Sequence, residues 1–184
     1  MYTESMHPQR AFTLIELLVV VAIIALLSGV VLAFLGEART KGSDAAVKRA
    51  LAEARKQAEV FYSANSGRYV TTVGTATDVC SSLATGSATE GVRGVYPHLV
   101  DAATAAGISA ANIQTVRTTA GAAGRVTCHA CPAGIVSGSC GGLNSNAWGV
   151  EVPLKSGGFW CVDSSGFVGL NPDTRLASGD SRCL

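Results

Sequence analysis

Charge is scarce in this chain. Asp, Glu, Lys and Arg make up 15% of its 184 residues and nearly cancel, at +1. No basic face of the kind that tracks a phosphate backbone is visible, so specific nucleic-acid binding is not expected. Aromatic residues are equally sparse, at 6%, and the middle of the chain is dominated by Ala, Gly, Ser and Thr. That composition points to a loop-rich head with a modest apolar core. Cysteine is absent from the first 79 residues, and all six lie from Cys80 onward. No second CxxC accompanies Cys128-His129-Ala130-Cys131, so a zinc ribbon lacks its second ligand pair. A redox CxxC needs a βαβ setting that is also missing. What remains for Cys80, Cys128, Cys131, Cys140, Cys161 and Cys183 is structural disulfides formed in an oxidising compartment, with connectivity open. Cys140 is expected to close a local loop to Cys128 or Cys131, and Cys183 to staple the tail to Cys80 or Cys161.

One thing is present in excess. Residues 10–29 read RAFTLIELLVVVAIIALLSG, and from 17 to 35 only Ser28 and Gly29 interrupt the apolar run. Nineteen such residues in a helix span roughly 28 Å, close to the hydrocarbon thickness of a bilayer. A cleaved secretory signal, a plain anchor, and a segment that both anchors and assembles all fit that length. Glu16, near the start of the run, separates them. A carboxylate in hydrocarbon costs several kcal/mol unless something satisfies it, so its presence asks for a purpose.

The order of residues around Glu16, AFTLIELLVVVAIIALL, resembles the N-terminal signature of type IV pilins and type II secretion pseudopilins. The resemblance covers about 25 residues. It implies a leader, residues 1–11, cut by a prepilin peptidase between Ala11 and Phe12, and methylation of the new Phe12 amine. It also makes Glu16 the carboxylate that serves assembly. Two positions depart from the family pattern: Ala11 stands where Gly is the norm, and Ala33 where many members have Pro. Any kink would then fall to Gly29 or Gly36. Arg39, Lys41, Lys48 and Arg49 follow the run, and the positive-inside rule alone favours the opposite orientation. The cysteines require the outer side and favour the pilin one.

The helical pattern continues past the run. Val47, Leu51, Ala54, Ala58 and Phe61 recur at three- and four-residue spacing, the apolar face of an amphipathic helix that Ser66-Gly67 should end. Glu37–Lys41 and Asp44–Lys48 read as exposed i,i+4 ion pairs. A helix over about 12–64 would be roughly 80 Å long. Towards the C-terminus, Trp148, Val150, Val152 and Leu154 alternate with Gly149, Glu151 and Pro153. This reads as a half-buried strand, and Pro153 places it at a sheet edge. Strands over 159–163 and 167–170, separated by SSG, complete an antiparallel meander. Residues 97–106 read as a short helix before Gly107, and the rest of 70–146 as irregular. The expected fold class is α+β. The pilin resemblance implies a long N-terminal helix whose C-terminal half packs on a small antiparallel sheet. The expected divisions are the leader 1–11, a membrane or filament-core half 12–35, an amphipathic half 36–66 and a head 67–184.

The remaining chemistry is thin. GSCGG around Cys140, with His98 and Asp101, has the residue types of a cysteine-protease site, but too few strands exist for two barrels. Asp163, Asn171, Asp173 and Asp180 are oxygen donors in the C-terminal loops and the only calcium candidates. Their spacing matches no fixed motif, and turn formation accounts for them. No cofactor is expected, and the chain reads as a structural protein rather than an enzyme. By resemblance its partners are other copies in a homopolymer, a prepilin peptidase, an assembly platform with its ATPase, and the bacterial cytoplasmic membrane before assembly. The product would be an extracellular or periplasmic filament for motility, adhesion, DNA uptake or secretion. The competing reading is a signal-cleaved or membrane-anchored disulfide-rich binding domain.

Overall fold

The computed structural model describes residues 12–70, 78–81, 93–117, 119–131 and 146–183. The expectations for the leader, Ala11 and Cys140 fall outside the described residues. The chain divides into two units, 1–39 and 40–184. In the first, the described residues are the beginning of helix α1, whose full span is Leu14–Ala64. The helix is unbroken through Gly29, Gly36 and Gly42. Its large apolar side chains from Leu14 to Leu35 are all exposed, and none of the most apolar 18-residue window is buried.

In the second unit, α1 buries Asp44, Val47, Ala50, Leu51, Ala54, Ala58 and Phe61, the face that the apolar spacing predicts plus two positions. Asp44 is one of the two, and it corrects the sequence reading. Its carboxylate turns inward and accepts from Lys155 N (2.8 Å) and Ser156 N (3.2 Å), in the turn that follows Pro153. Lys48, its expected partner, instead lies over the Trp160 ring at 4.6 Å. Two amides in a tight turn have no ladder partner of their own, so a buried carboxylate satisfies them better than a solvated lysine satisfies it. After Ala64 the chain leaves the helix through left-handed Ser66 and Gly67 (φ 56° and 75°), with Gly67 N bonded to Tyr62 O.

Helix α2, Tyr96–Ala106, carries Pro97 in its first turn and ends at left-handed Gly107, whose amide reaches back to Ala103 and Thr104. It buries Leu99, Ala102 and Ala103. A 3-10 turn, Ala110–Asn112, leads into a five-stranded sheet: β1 Ile113–Gln114, β2 Val126–Cys131, β3 Ala147–Pro153, β4 Phe159–Asp163 and β5 Val168–Asn171. Spatial order follows sequence order, β1 pairs with β2 in parallel, and the other pairs are antiparallel. The predicted meander is therefore the C-terminal three strands of a larger sheet.

Two corrections concern β3. It lies in the middle of the sheet and not at an edge. Pro153 is tolerated because pairing with β2 stops at Glu151, while Leu154 N donates to Gly158 O on the β4 side. The nitrogen of residue 153 thus points to the other side, where β2 has ended and no donor is needed. Nor is β3 half-buried, since all of it except Pro153 is buried. One face of the sheet, with Val126, Cys128, Trp148, Val150, Val152 and Val162, belongs to the main core together with α1 and α2 residues. The opposite face is covered by the chain's own C-terminal tail.

That tail is held by polar side chains, of which Glu151 is one that the alternation assigned to solvent. Glu151, fully buried, accepts from Thr174 Oγ1, Arg175 N (2.8 Å) and Leu176 N (3.1 Å). His129, equally buried, places Nδ1 on Asp180 O and Nε2 on Thr119 O (2.9 Å). Asp163 accepts from Cys183 N (2.9 Å), Asn171 donates to Cys183 O (3.2 Å), and Cys183 is bonded to Cys161. Glycine makes the close approach possible. A Cβ on Gly149 would meet Ser181 O at 2.6 Å, and one on Gly121 would run into the Glu151 carboxylate.

Candidate functional site

The first unit begins with orphan backbone amides. An α-helix leaves its first N–H groups unsatisfied, and in an apolar setting water does not supply the partners. Thr13 and Glu16 close this gap reciprocally. Glu16 Oε2 accepts from Thr13 N (2.8 Å) and Thr13 Oγ1 (2.9 Å), while Glu16 N donates to Thr13 Oγ1 (3.3 Å). This is a capping box, with threonine at the N-cap and glutamate three residues on. The T-x-x-E spacing of TLIE carries this signal in the sequence itself.

Past the box the helix is apolar on every side. Leu17, Leu18, Ile23, Ile24, Leu26 and Leu27 point around the whole circumference and all are exposed. A helix apolar all round is buried in something, whether lipid or other helices. The chain thus presents one carboxylate, held at the tip of an otherwise uncharged rod, one turn from the Phe12 position.

A family model described as the prokaryotic N-terminal methylation motif matches residues 6–32, which include this tip. The motif is characteristic of type IV pilins and pseudopilins, and the long helix on a mostly antiparallel sheet agrees with the pilin fold. No curated protein and no solved structure matches the chain. The helix and the motif together fit a pilin-like protein anchored in a membrane before assembly.

Most of the other residues singled out in the sequence have structural partners. Cys80 pairs with Cys128 and Cys161 with Cys183. The Cys128–Cys140 alternative is therefore excluded, and Cys161 is the tail's anchor. Cys131 is disulfide-bonded as well, and no described cysteine is free. Cys128 and Cys131 are consumed, and both His129 nitrogens are occupied by carbonyls, which leaves no ligand set in CHAC. Among the described residues no group of three or more His, Cys, Asp or Glu is placed to hold a metal. Asp163 spends Oδ1 on Ser165 N, Ser165 Oγ and Phe167 N, closing the β4–β5 turn. Asp180 caps Arg182 N (3.0 Å), and Asp173 is exposed. His98 and Asp101 both lie on α2, a helix turn apart.

Proposed function

We propose that this chain is a prepilin whose mature form polymerises into a type IV pilus or secretion pseudopilus. The supporting observation is the apolar, exposed first half of α1, which carries a single capped carboxylate within the methylation motif. The pilin and pseudopilin family is structural rather than enzymatic. In this reading a prepilin peptidase cuts between Ala11 and Phe12, and Phe12 is N-methylated. Other copies then bury residues 12–35 in a filament core, with an assembly platform and ATPase supplying the work. The cytoplasmic membrane holds the chain beforehand, and the filament is extracellular or periplasmic.

Glu16 then has two successive partners. Before assembly the Thr13 amide and hydroxyl hold it, so the carboxylate crosses the apolar environment without being bare. After cleavage the Phe12 amine of a neighbouring copy supplies a cation. In low dielectric an attraction of this kind is strong but mostly offsets desolvation, so its main product is register between subunits. Leu-rich helices slide past one another with little penalty, and a single charge pair selects one axial offset.

The test is mass spectrometry of the N-terminus in sheared surface filaments. Methylated Phe12 is the expected first residue. A mature chain starting at Phe34 would instead identify a signal-cleaved secreted domain, and an intact Met1 would remove the peptidase from the account.

A further inference from the structure

A cavity of about 360 Å³ opens in the second unit beside the C-terminal end of α1. Glu59 and Tyr62 from α1, Tyr69, Asn146, Ser164 and Arg182 contribute to its wall. Three elements meet here. α1 ends at Ala64, the β4–β5 turn presents Ser164, and the Cys161–Cys183 disulfide fixes the tail residue beside it.

The wall divides by chemistry. On one side Glu59 Oε1 accepts from the Tyr69 hydroxyl (3.0 Å). Burial and this bond push the Tyr69 hydroxyl well above its ordinary range, so it stays a donor. The second Glu59 oxygen is left for another donor. On the other side Arg182 Nε is buried without a hydrogen-bond partner. Ser164 Oγ accepts from Trp148 N (3.2 Å), which leaves its own proton to donate. Among the described residues the Tyr62 hydroxyl has no partner and no ion pair joins Glu59 to Arg182. The Arg182 guanidinium and the Glu59 carboxylate line one cavity without pairing with each other.

We infer that this cavity is a binding site for a small zwitterion of the α-amino-acid type. Glu59 receives the ammonium, and Arg182, with the Ser164 and Tyr62 hydroxyls, receives the carboxylate. A ligand of one sign alone would satisfy one wall and face repulsion from the other. A zwitterion satisfies both and leaves the site neutral. The Tyr62 and Tyr69 rings, 4.7 Å apart between centroids, give the ligand's side chain an apolar flank. The cavity exceeds the space taken by the amino and carboxyl groups, so discrimination among amino acids would come from that flank. The site does not depend on filament assembly, since all its residues belong to the second unit.

The test is saturation-transfer NMR on the detergent-solubilised full chain with each of the standard L-amino acids in turn. For the best ligand, the N-acetylated form and the decarboxylated amine are then measured. Saturable binding of at least one amino acid is expected, with each truncated analogue weakened at least about tenfold, as loss of a charge-assisted hydrogen bond implies. Glu59→Gln and Arg182→Gln should each weaken the parent ligand by a similar factor. Glu59→Gln keeps the acceptor for Tyr69 and does not touch the tail. Closure of the Cys161–Cys183 bridge, read by thiol titration, shows that the Arg182 variant is folded. No amino acid binding at up to about 10 mM would overturn the assignment. So would binding indifferent to Glu59→Gln, acetylated ligand bound as tightly as free, or D-glucose bound more tightly than any amino acid.

Discussion

Replacing Glu151 with alanine tests the account of the tail most directly. The side chain is fully buried and accepts three hydrogen bonds, from Thr174 Oγ1, Arg175 N and Leu176 N. Hydrogen bonds to a charged acceptor contribute about 1.5–3 kcal/mol each, but they are not additive. Arg175 and Thr174 are exposed and can return to water, whereas Leu176 is buried and its amide stays unsatisfied. That orphan alone costs about 1–3 kcal/mol, and the lost packing adds to it, giving about 3–5 kcal/mol in all. The effect should be local, because Cys161–Cys183 keeps the tail tethered while residues 174–182 lift away. Amide hydrogen exchange of the full chain in detergent reads this out segment by segment. Arg175 and Leu176 should lose protection by orders of magnitude, while β2 and the Trp148 region keep theirs. Thr174→Ala, which leaves both backbone donors in place, should cost only about 1 kcal/mol. If the Leu176 amide in Glu151→Ala exchanges as slowly as in the native chain, the carboxylate does not hold the tail and the reasoning fails.

Glu16→Ala is expected to insert and be cleaved nearly normally yet yield few filaments, with Glu16→Asp between; quantifying sheared filaments against membrane precursor decides, and normal filament yield would make Glu16 a bystander. Ala11→Leu should accumulate uncleaved precursor on an immunoblot, since the bulky residue occupies the peptidase cut. Asp78 sets a pH dependence: burial lifts its carboxyl to about 6 from an ordinary 3.8, against the lowering effect of the Cys80 and Ser81 amides. The folded chain therefore binds this proton more tightly than the unfolded one, so the site's contribution to stability falls as pH rises from 3.8 to about 6 and is flat above. Denaturation midpoints of Asp78→Asn across that window should lose this slope, and an unchanged slope would assign it to other groups. Cys183→Ser opens a loop of sequence separation 22 and should cost about 3 kcal/mol in a urea titration, with a null result meaning that the polar latches alone hold the tail.

The long helix was legible in the chain because its signals are local. An apolar run, a three-and-four spacing and a glycine stop need no distant partner to be read, and α1 buries the face that the spacing indicates. The methylation motif is local in the same way, as is the capping box that TLIE spells out. α2 and the three C-terminal strands followed from Pro97, Gly107 and the turn residues between strands. Tertiary structure decided the rest. β2 is six buried residues rich in Thr, Cys, His and Ala, so it has no alternation to show: both faces are covered, one by the core and one by the tail. Glu151 and Asp44 read as surface residues because a lone polar side chain normally seeks water, and His129 reads only as part of a cysteine cluster. Each is buried because a backbone segment distant in sequence, 111 residues away for Asp44 and Lys155, brings amides or carbonyls that no other group satisfies. Polarity is written in the sequence, but whether a polar group faces solvent or a partner depends on what the fold lays against it.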